Sequence, residues 1–193
     1  MRNSQSSKTL GRVIELSFCF LAALVVLMVV SFLTLRPLLI EFRTDAQNEW
    51  ESYVAAVSKR NEVLPGLAEA LRGFEPGHGK LVNKLLQAPS VPLLRRDPDF
   101  IVAFADDIEL SLLEIEKLAK AGPQLTKYPP FAAHWLDVSA RTQRVTTHRA
   151  KYNKAATAYN GLLSAFPQNL VCGVWGFVRL NVYPAPGILG SAK

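Results

Sequence analysis

Cysteine is nearly absent from this chain: Cys19 and Cys172 are the two in 193 residues. Cys19 lies in a long apolar run and Cys172 near the C-terminus, which argues against an intrachain disulfide. Neither belongs to a Cys-x-x-Cys motif. Histidine is almost as scarce. His78, His134 and His148 show neither His-x-x-x-His nor His-x-x-Glu-His spacing, so the sequence encodes no local zinc site. Gly-x-Ser-x-Gly and a phosphate-binding glycine loop are also missing, which leaves a hydrolase without a nucleophile motif. No long Lys/Arg run interleaves with aromatics, so nucleic acid is not an expected partner. Strand-like alternation, low-complexity segments and repeats of about 20–50 residues are absent as well. No catalytic, cofactor-binding or metal-ligating residue is assigned on this basis.

What the chain does have begins at Leu16. From there to Leu35 it reads LSFCFLAALVVLMVVSFLTL, without a single charge. As a helix rising ~1.5 Å per residue the run is ~30 Å long, enough to cross a bilayer core. It continues past Val29-Val30-Ser31, a poor cleavage site, so it reads as a retained transmembrane helix rather than a signal peptide. Arg2, Lys8 and Arg12 precede it, whereas Arg36 and Arg43 follow it. That asymmetry places the N-terminus in the cytoplasm and the remainder outside. Beyond residue 35 stand 19 basic and 15 acidic residues, a net +4, which suits a domain near anionic headgroups or an ordinary basic domain equally.

The polar remainder has helical periodicity. Trp50, Val54, Val57, Asn61, Leu64, Ala68 and Leu71 alternate at spacings of four and three, a seam for packing against other helices. Pro37 marks a kink or a fresh helix start after the membrane, and Pro65 a bend or local distortion. A short helix is expected from Gly79 to Ala88. A longer one runs from Pro98 to Ala121, capped by Asp97 or Asp99, with Phe100, Phe104, Ile108, Leu112, Ile115 and Leu118 on its apolar face. Asp106, Asp107, Glu109, Glu114 and Glu116 on that helix read as a solvated face. Pro129-Pro130 opens the last long helix. There Phe131, Trp135, Val138, Thr142, Val145, Arg149, Tyr152, Ala156, Tyr159, Leu163 and Phe166 alternate at four and three throughout, until Pro167 stops the helix. Residues 171–177 suggest a short amphipathic helix that touches the bilayer or, by default, docks back onto the bundle, and the tail after Tyr183 is expected to fray.

The fold class expected is all-α: an N-terminal transmembrane helix followed by an antiparallel long-helix bundle. The divisions are a basic tail over 1–15, the membrane helix over 16–35, the bundle over 36–183 and a flexible tail over 184–193.

Three segments carry a family resemblance. NEWESYVAAVSKRNEVLPGL, Asn48 to Leu67, holds Trp50, Arg60, Asn61, Glu62 and Pro65. RAKYNKAATAYNGLLSAFP, Arg149 to Pro167, holds the pairs Tyr152-Asn153 and Tyr159-Asn160 and closes on Phe166-Pro167. NLVCGVWGF, Asn169 to Phe177, ends with Trp175 and Phe177. In order and separation these resemble the LemA family of bacterial membrane-anchored proteins. The resemblance implies an anchor followed by a helical bundle and no established catalytic activity; relatives at magnetosome membranes imply a theme of membrane organisation. Gly66 departs from the polar residue many members carry, and residues 178–184 are looser than the usual basic-proline-aromatic ending.

The named residues are candidates for structural and interaction roles. Arg149 is expected to meet Glu62 or another acidic residue, and Asn61 and Asn153 to bond across helices, fixing register. The function expected is a non-enzymatic single-pass protein of the bacterial cytoplasmic membrane, acting as a protein-interaction or membrane-organising scaffold. Its partners are the lipid bilayer and a protein partner or a second copy. The alternative is a membrane-associated accessory subunit binding a small molecule or metal. Cofactors: none are expected.

Overall fold

The computed structural model describes residues 3–74, 76–90, 93, 97–165 and 175–186, and every regular element among them is helical. In chain order these are α1 Asn3–Asn61, α2 Leu64–Phe74, α3 Gly79–Gln87, α4 Pro98–Ala121, α5 Pro123–Lys127 and α6 Pro129–Ser164. Short 3₁₀ turns, Pro76–His78 and Ala88–Ser90, flank α3.

Two prolines behave differently from one another. Pro37 sits inside α1, which continues through it, so of the two expectations the fresh helix start is corrected. One missing N–H leaves the flanking helical bonds intact over so long a segment. Pro65 does end a helix. Its ring cannot donate to the Asn61 carbonyl and crowds it, so α1 stops at Asn61 and Pro65 falls in the first turn of α2, where no donor is needed. The intervening turn is held by Glu62 N–H donating to Ser58 O (3.1 Å) and Val63 N–H to Arg60 O (3.2 Å).

The break does not disturb the seam. Asn61, Leu64, Ala68 and Leu71 are all buried, so the four-three alternation passes across it. α1 and α2 together run antiparallel to α6: Leu39 clusters with Tyr159 and Leu163, Trp50 meets Tyr152, and Phe74 meets Tyr128. Of the α6 stripe, Phe131, Val138, Val145, Arg149, Tyr152, Ala156, Tyr159 and Leu163 are buried, with Trp135 and Thr142 partly so. Phe166 and Pro167 lie outside the described residues.

α4 supplies the third side, capped as expected by Asp97, whose side chain accepts from Asp99 N–H at 2.7 Å. Ile108, Leu112 and Ile115 join Leu64, Leu67, Leu71, Leu85 and Phe131 in the largest core cluster. Phe100 departs from the expected face: at the open end of α4 it is exposed and stacks on Phe104. A second cluster gathers Tyr53, Val57, Ile101, Ala105 and Val145. The short α5 between Gly122 and Tyr128 was not expected; it covers Leu125 and turns the chain into α6.

One departure from the family pattern acquires a reason here. The imidazole of His134 occupies the place of a side chain at Gly66: its Cε1 lies 2.6 Å from where a Cβ would stand.

Residues 3–38 of α1 extend beyond Leu39, the first of its residues buried among the described ones. The expected membrane run falls in this part, but the side chains at 16, 27, 28, 31 and 32 lie outside the description. Among the described residues no helix is long and apolar enough to cross a membrane.

Candidate functional site

α1, α4 and α6 enclose a charged layer that the bundle would not need for packing alone. Arg149 is 4% exposed and Arg60 is 0% exposed. Nη2 of Arg149 donates to Asp106 Oδ1 and to the Tyr53 hydroxyl (3.1 Å), and its Nη1 reaches the Pro184 carbonyl (3.4 Å). Its guanidinium carbon also lies 5.6 Å from the Tyr53 ring centroid, within cation–π range. Asp106, not Glu62, is therefore the acidic partner: Glu62 is exposed in the turn that ends α1. Asp106 and half-buried Glu109 also correct the expectation of a wholly solvated acidic face on α4.

Arg60 has weaker company. Its Nε and Nη2 both lie 3.3 Å from Asn61 Oδ1, Nη2 is 3.5 Å from the Ala105 carbonyl, and Nη1 is buried without a partner. Asn61 thus bonds to its neighbour rather than across helices. Burial pulls Arg60 down to about 10, with Tyr53 and Glu109 opposing. Burial also pushes Arg149 down, but the Tyr53 and Asp106 contacts outweigh it and leave Arg149 above its ordinary value. Burial raises Tyr53, against the pull of Arg149.

Burial likewise raises Glu109, with Arg149 and Arg60 pulling it back. The folded protein therefore holds this proton to higher pH than the unfolded chain. Its contribution to stability is complete below the ordinary glutamate value and is lost as pH rises through the raised one. Glu109→Gln is expected to melt above the parent at neutral pH, with the gap closing in acid. Thermal melts at paired pH values check this, and a variant that melts lower at neutral pH contradicts it.

The second feature is a clasp. Residues 177–185 form no helix and lie along α6 as a strap. Asn153 brackets Tyr183: its Oδ1 accepts from the Tyr183 N–H (2.9 Å) and its Nδ2 donates to the Tyr183 carbonyl (2.7 Å). Asn160 does the same for Leu180, at 2.9 and 2.7 Å. The spacing explains the strap's conformation. Seven helical residues rise ~10.5 Å, and three extended residues span ~10 Å, so only a nearly extended strap fits both amides. The Tyr152 hydroxyl donates to the Asn181 carbonyl between them (2.8 Å). All five bonds address backbone, not side chains.

Aromatic packing closes the same groove. Trp50, Tyr152 and Tyr183 have centroids 5.1 to 6.0 Å apart, and the Tyr183 hydroxyl donates to Asp99 on α4 (2.8 Å). Burial and that bond hold the Tyr183 phenol well above its usual range. Lower down, Trp175, Phe177 and Leu180 cover Leu39, Tyr159 and Leu163. Trp175 and Gly176 form a turn rather than the end of an amphipathic helix; Gly176 takes φ +69°, which favours glycine. Residues 171–174 lie outside the described residues. Pro184 is tied to Arg149 rather than frayed; residues 187–193 lie outside the described residues.

A family model described as the LemA family matches residues 49–188. This chain belongs to the LemA family. The match starts beside Trp50 and ends beyond the strap, so charged layer, asparagine clasp and strap all lie in the LemA region. No curated protein matches the chain significantly.

The structure thus joins most of the candidates. Trp50, Arg149, Tyr152, Asn153, Tyr159, Asn160, Trp175 and Phe177 line the groove or adjoin it; Arg60 and Asn61 bond to each other, with Arg60 reaching the Ala105 carbonyl on α4; Glu62 and Pro65 serve the α1–α2 turn. Sequence reasoning missed Tyr53, Asp99, Asp106 and Tyr183. The repeat of Tyr-Asn after seven residues on α6 signalled the strap that carries Tyr183; nothing in the sequence pointed at Tyr53 or Asp106. Among the described residues no three His, Cys, Asp or Glu side chains are grouped to hold a metal.

Proposed function

We propose that this LemA protein is a non-enzymatic single-pass membrane protein. Its bundle acts as a protein-interaction scaffold held off the bilayer on a rigid stalk. The observation that carries this reading is the division of α1 into two surfaces. From Leu39 onward the helix buries Leu39, Ala46, Tyr53, Val54 and Val57 against the bundle, while Ile40 stays exposed. Below it Phe18, Phe20, Leu21, Val25, Val26, Val29, Val30 and Leu33 are exposed, Phe18 at 72% and Leu33 at 66%. They point in all directions around the helix, so one flat partner cannot cover them, whereas hydrocarbon can. Leaving them in water would forgo ~25 cal/mol for each Å² of apolar surface.

The basic residues Arg2, Lys8 and Arg12 favour an N-terminus inside the cytoplasmic membrane and a bundle outside it. A continuous α1 fixes the height and orientation of the bundle, which suits the capture of a partner or a second copy at a set distance from the lipid. The test is carbonate extraction of membranes followed by photocrosslinking from exposed bundle positions. The full chain is expected to stay with the pellet and to give discrete crosslinked species. Release by carbonate, or crosslinks to lipid alone from the bundle faces, would overturn the reading.

A further inference from the structure

We propose that a cleft between α1 and α6, on the side away from the strap, binds a soluble phosphate-bearing small molecule. Its walls follow from helical spacing. Ser52, Ala55, Ala56 and Lys59 share one face of α1; Arg141, Arg144 and His148 share the facing edge of α6. Lys59 follows Trp50 by nine residues, half a turn round the helix, so this cleft and the strap groove open in opposite directions. The two alanines leave a recess of about 260 Å³.

The lining is one-sided in charge. No acidic side chain lines the cleft. Arg141 is held in place: Asp137 accepts from its Nε at 2.9 Å and the Lys59 carbonyl from its Nη1 at 3.1 Å. Lys59 and Arg144 make no ion pair among the described residues, so two cations face the recess uncompensated. At its other end, Nδ1 of His148 is buried with no hydrogen-bond partner. The His148 ring lines the recess and so reports on anything bound there.

These groups select the ligand's chemistry. The Arg144 guanidinium fork, the Lys59 ammonium and the Nη2 that Arg141 has left suit a tetrahedral, doubly charged group with several acceptor oxygens. The recess exceeds what one carboxylate fills, and no Phe, Tyr or Trp side chain lines it as a platform for a base. A phosphate monoester or a diphosphate fits both facts. A lipid headgroup carries the same chemistry, but its reach is wrong. On the stalk reading above, Lys59 lies 24 residues beyond Leu35 on one continuous helix, ~36 Å from the edge of the apolar run. The headgroup layer adds only ~5–8 Å per leaflet, and its field decays over ~8 Å in physiological salt.

The three histidines make the test internal to the chain. The full chain, with histidine isotopically labelled, is placed in discs of uncharged lipid and titrated with inorganic pyrophosphate. The His148 ring resonances are expected to shift saturably at millimolar concentration or below, while those of His78 and His134 stay put. Lys59→Gln with Arg144→Gln should weaken binding by roughly tenfold or more, and Lys59→Arg should retain it. Both residues are exposed, so the melting temperature of each variant reports independently that the fold is intact. The proposal is overturned if His148 does not respond, if all three histidines respond alike, or if the double variant binds as well as the parent. Occupation by vesicles of anionic lipid but not by pyrophosphate overturns it too. Failure of the chain to enter discs would count against the stalk and leave the titration of the free chain to judge the cleft.

Discussion

Arg149→Ala is expected to destabilise the protein by ~3–5 kcal/mol, the usual consequence of removing one partner from a buried ion pair. The change removes the contacts to Asp106, to the Tyr53 hydroxyl and to the Pro184 carbonyl at once. It also opens a cavity between the second core cluster and the strap. At ~2–4 °C per kcal/mol for a chain of this size, the melting temperature should fall on the order of 10 °C. Asp106→Asn should cost less, about 1–3 kcal/mol, because its side chain is 25% exposed and an amide oxygen still accepts from the guanidinium. A double-mutant cycle between positions 106 and 149 should give clear coupling, and one between 62 and 149 none. Loss of less than ~1 kcal/mol in Arg149→Ala would mean that the layer is hydrated and that its charges do not fix the helices.

Asn153→Leu combined with Asn160→Leu is expected to free the strap while leaving the helices folded. The pair makes four bonds to the strap backbone. At ~0.5–1.5 kcal/mol each, their loss favours local opening by about 2–6 kcal/mol. In amide hydrogen exchange the Leu180 and Tyr183 N–H groups should lose protection by roughly 30-fold or more, while the α1 and α6 core amides change little. Trp50 should report the same event, since Tyr183 no longer packs on it. Unchanged protection at Leu180 and Tyr183 would show that aromatic packing, not the amides, holds the strap. Each single substitution should give an intermediate effect, because the two clasps lie two helical turns apart and grip different strap residues.

How much of this was legible beforehand depends on the kind of residue. Positions whose burial follows from periodicity were readable. Val138, Val145, Ala156 and Leu163 on α6, and Val54, Val57, Ala68 and Leu71 on the facing line, are buried where the alternation put them. A helix has one apolar stripe and one way to hide it, so spacing suffices. The end of α4 at Ala121, a cap at Asp97 or Asp99 and a distortion at Pro65 were readable from local residues; that α1 ends outright at Asn61 was not. The partner of Arg149 was not. Asp106 is 43 residues away, and no spacing rule separates it from Glu62, which lies on an equally plausible helix. The strap was hidden more deeply, because its side chains show no period and its grip is on backbone atoms every residue possesses. The repeated Tyr-Asn pair announced a role without announcing its object.

The amino-acid order by itself determined that the chain is helical, where α3, α4 and α6 begin, which stripe positions are buried, and that the LemA resemblance would hold. Those properties depend on residues within a few turns of one another, on proline geometry and on apolar spacing. The tertiary structure alone decided that Asp106 receives Arg149, that Asn153 and Asn160 clasp an extended strap, and that Lys59 and Arg144 face a common recess. Each of these brings together groups tens of residues apart, and their distance and orientation exist only after α1, α4 and α6 have packed.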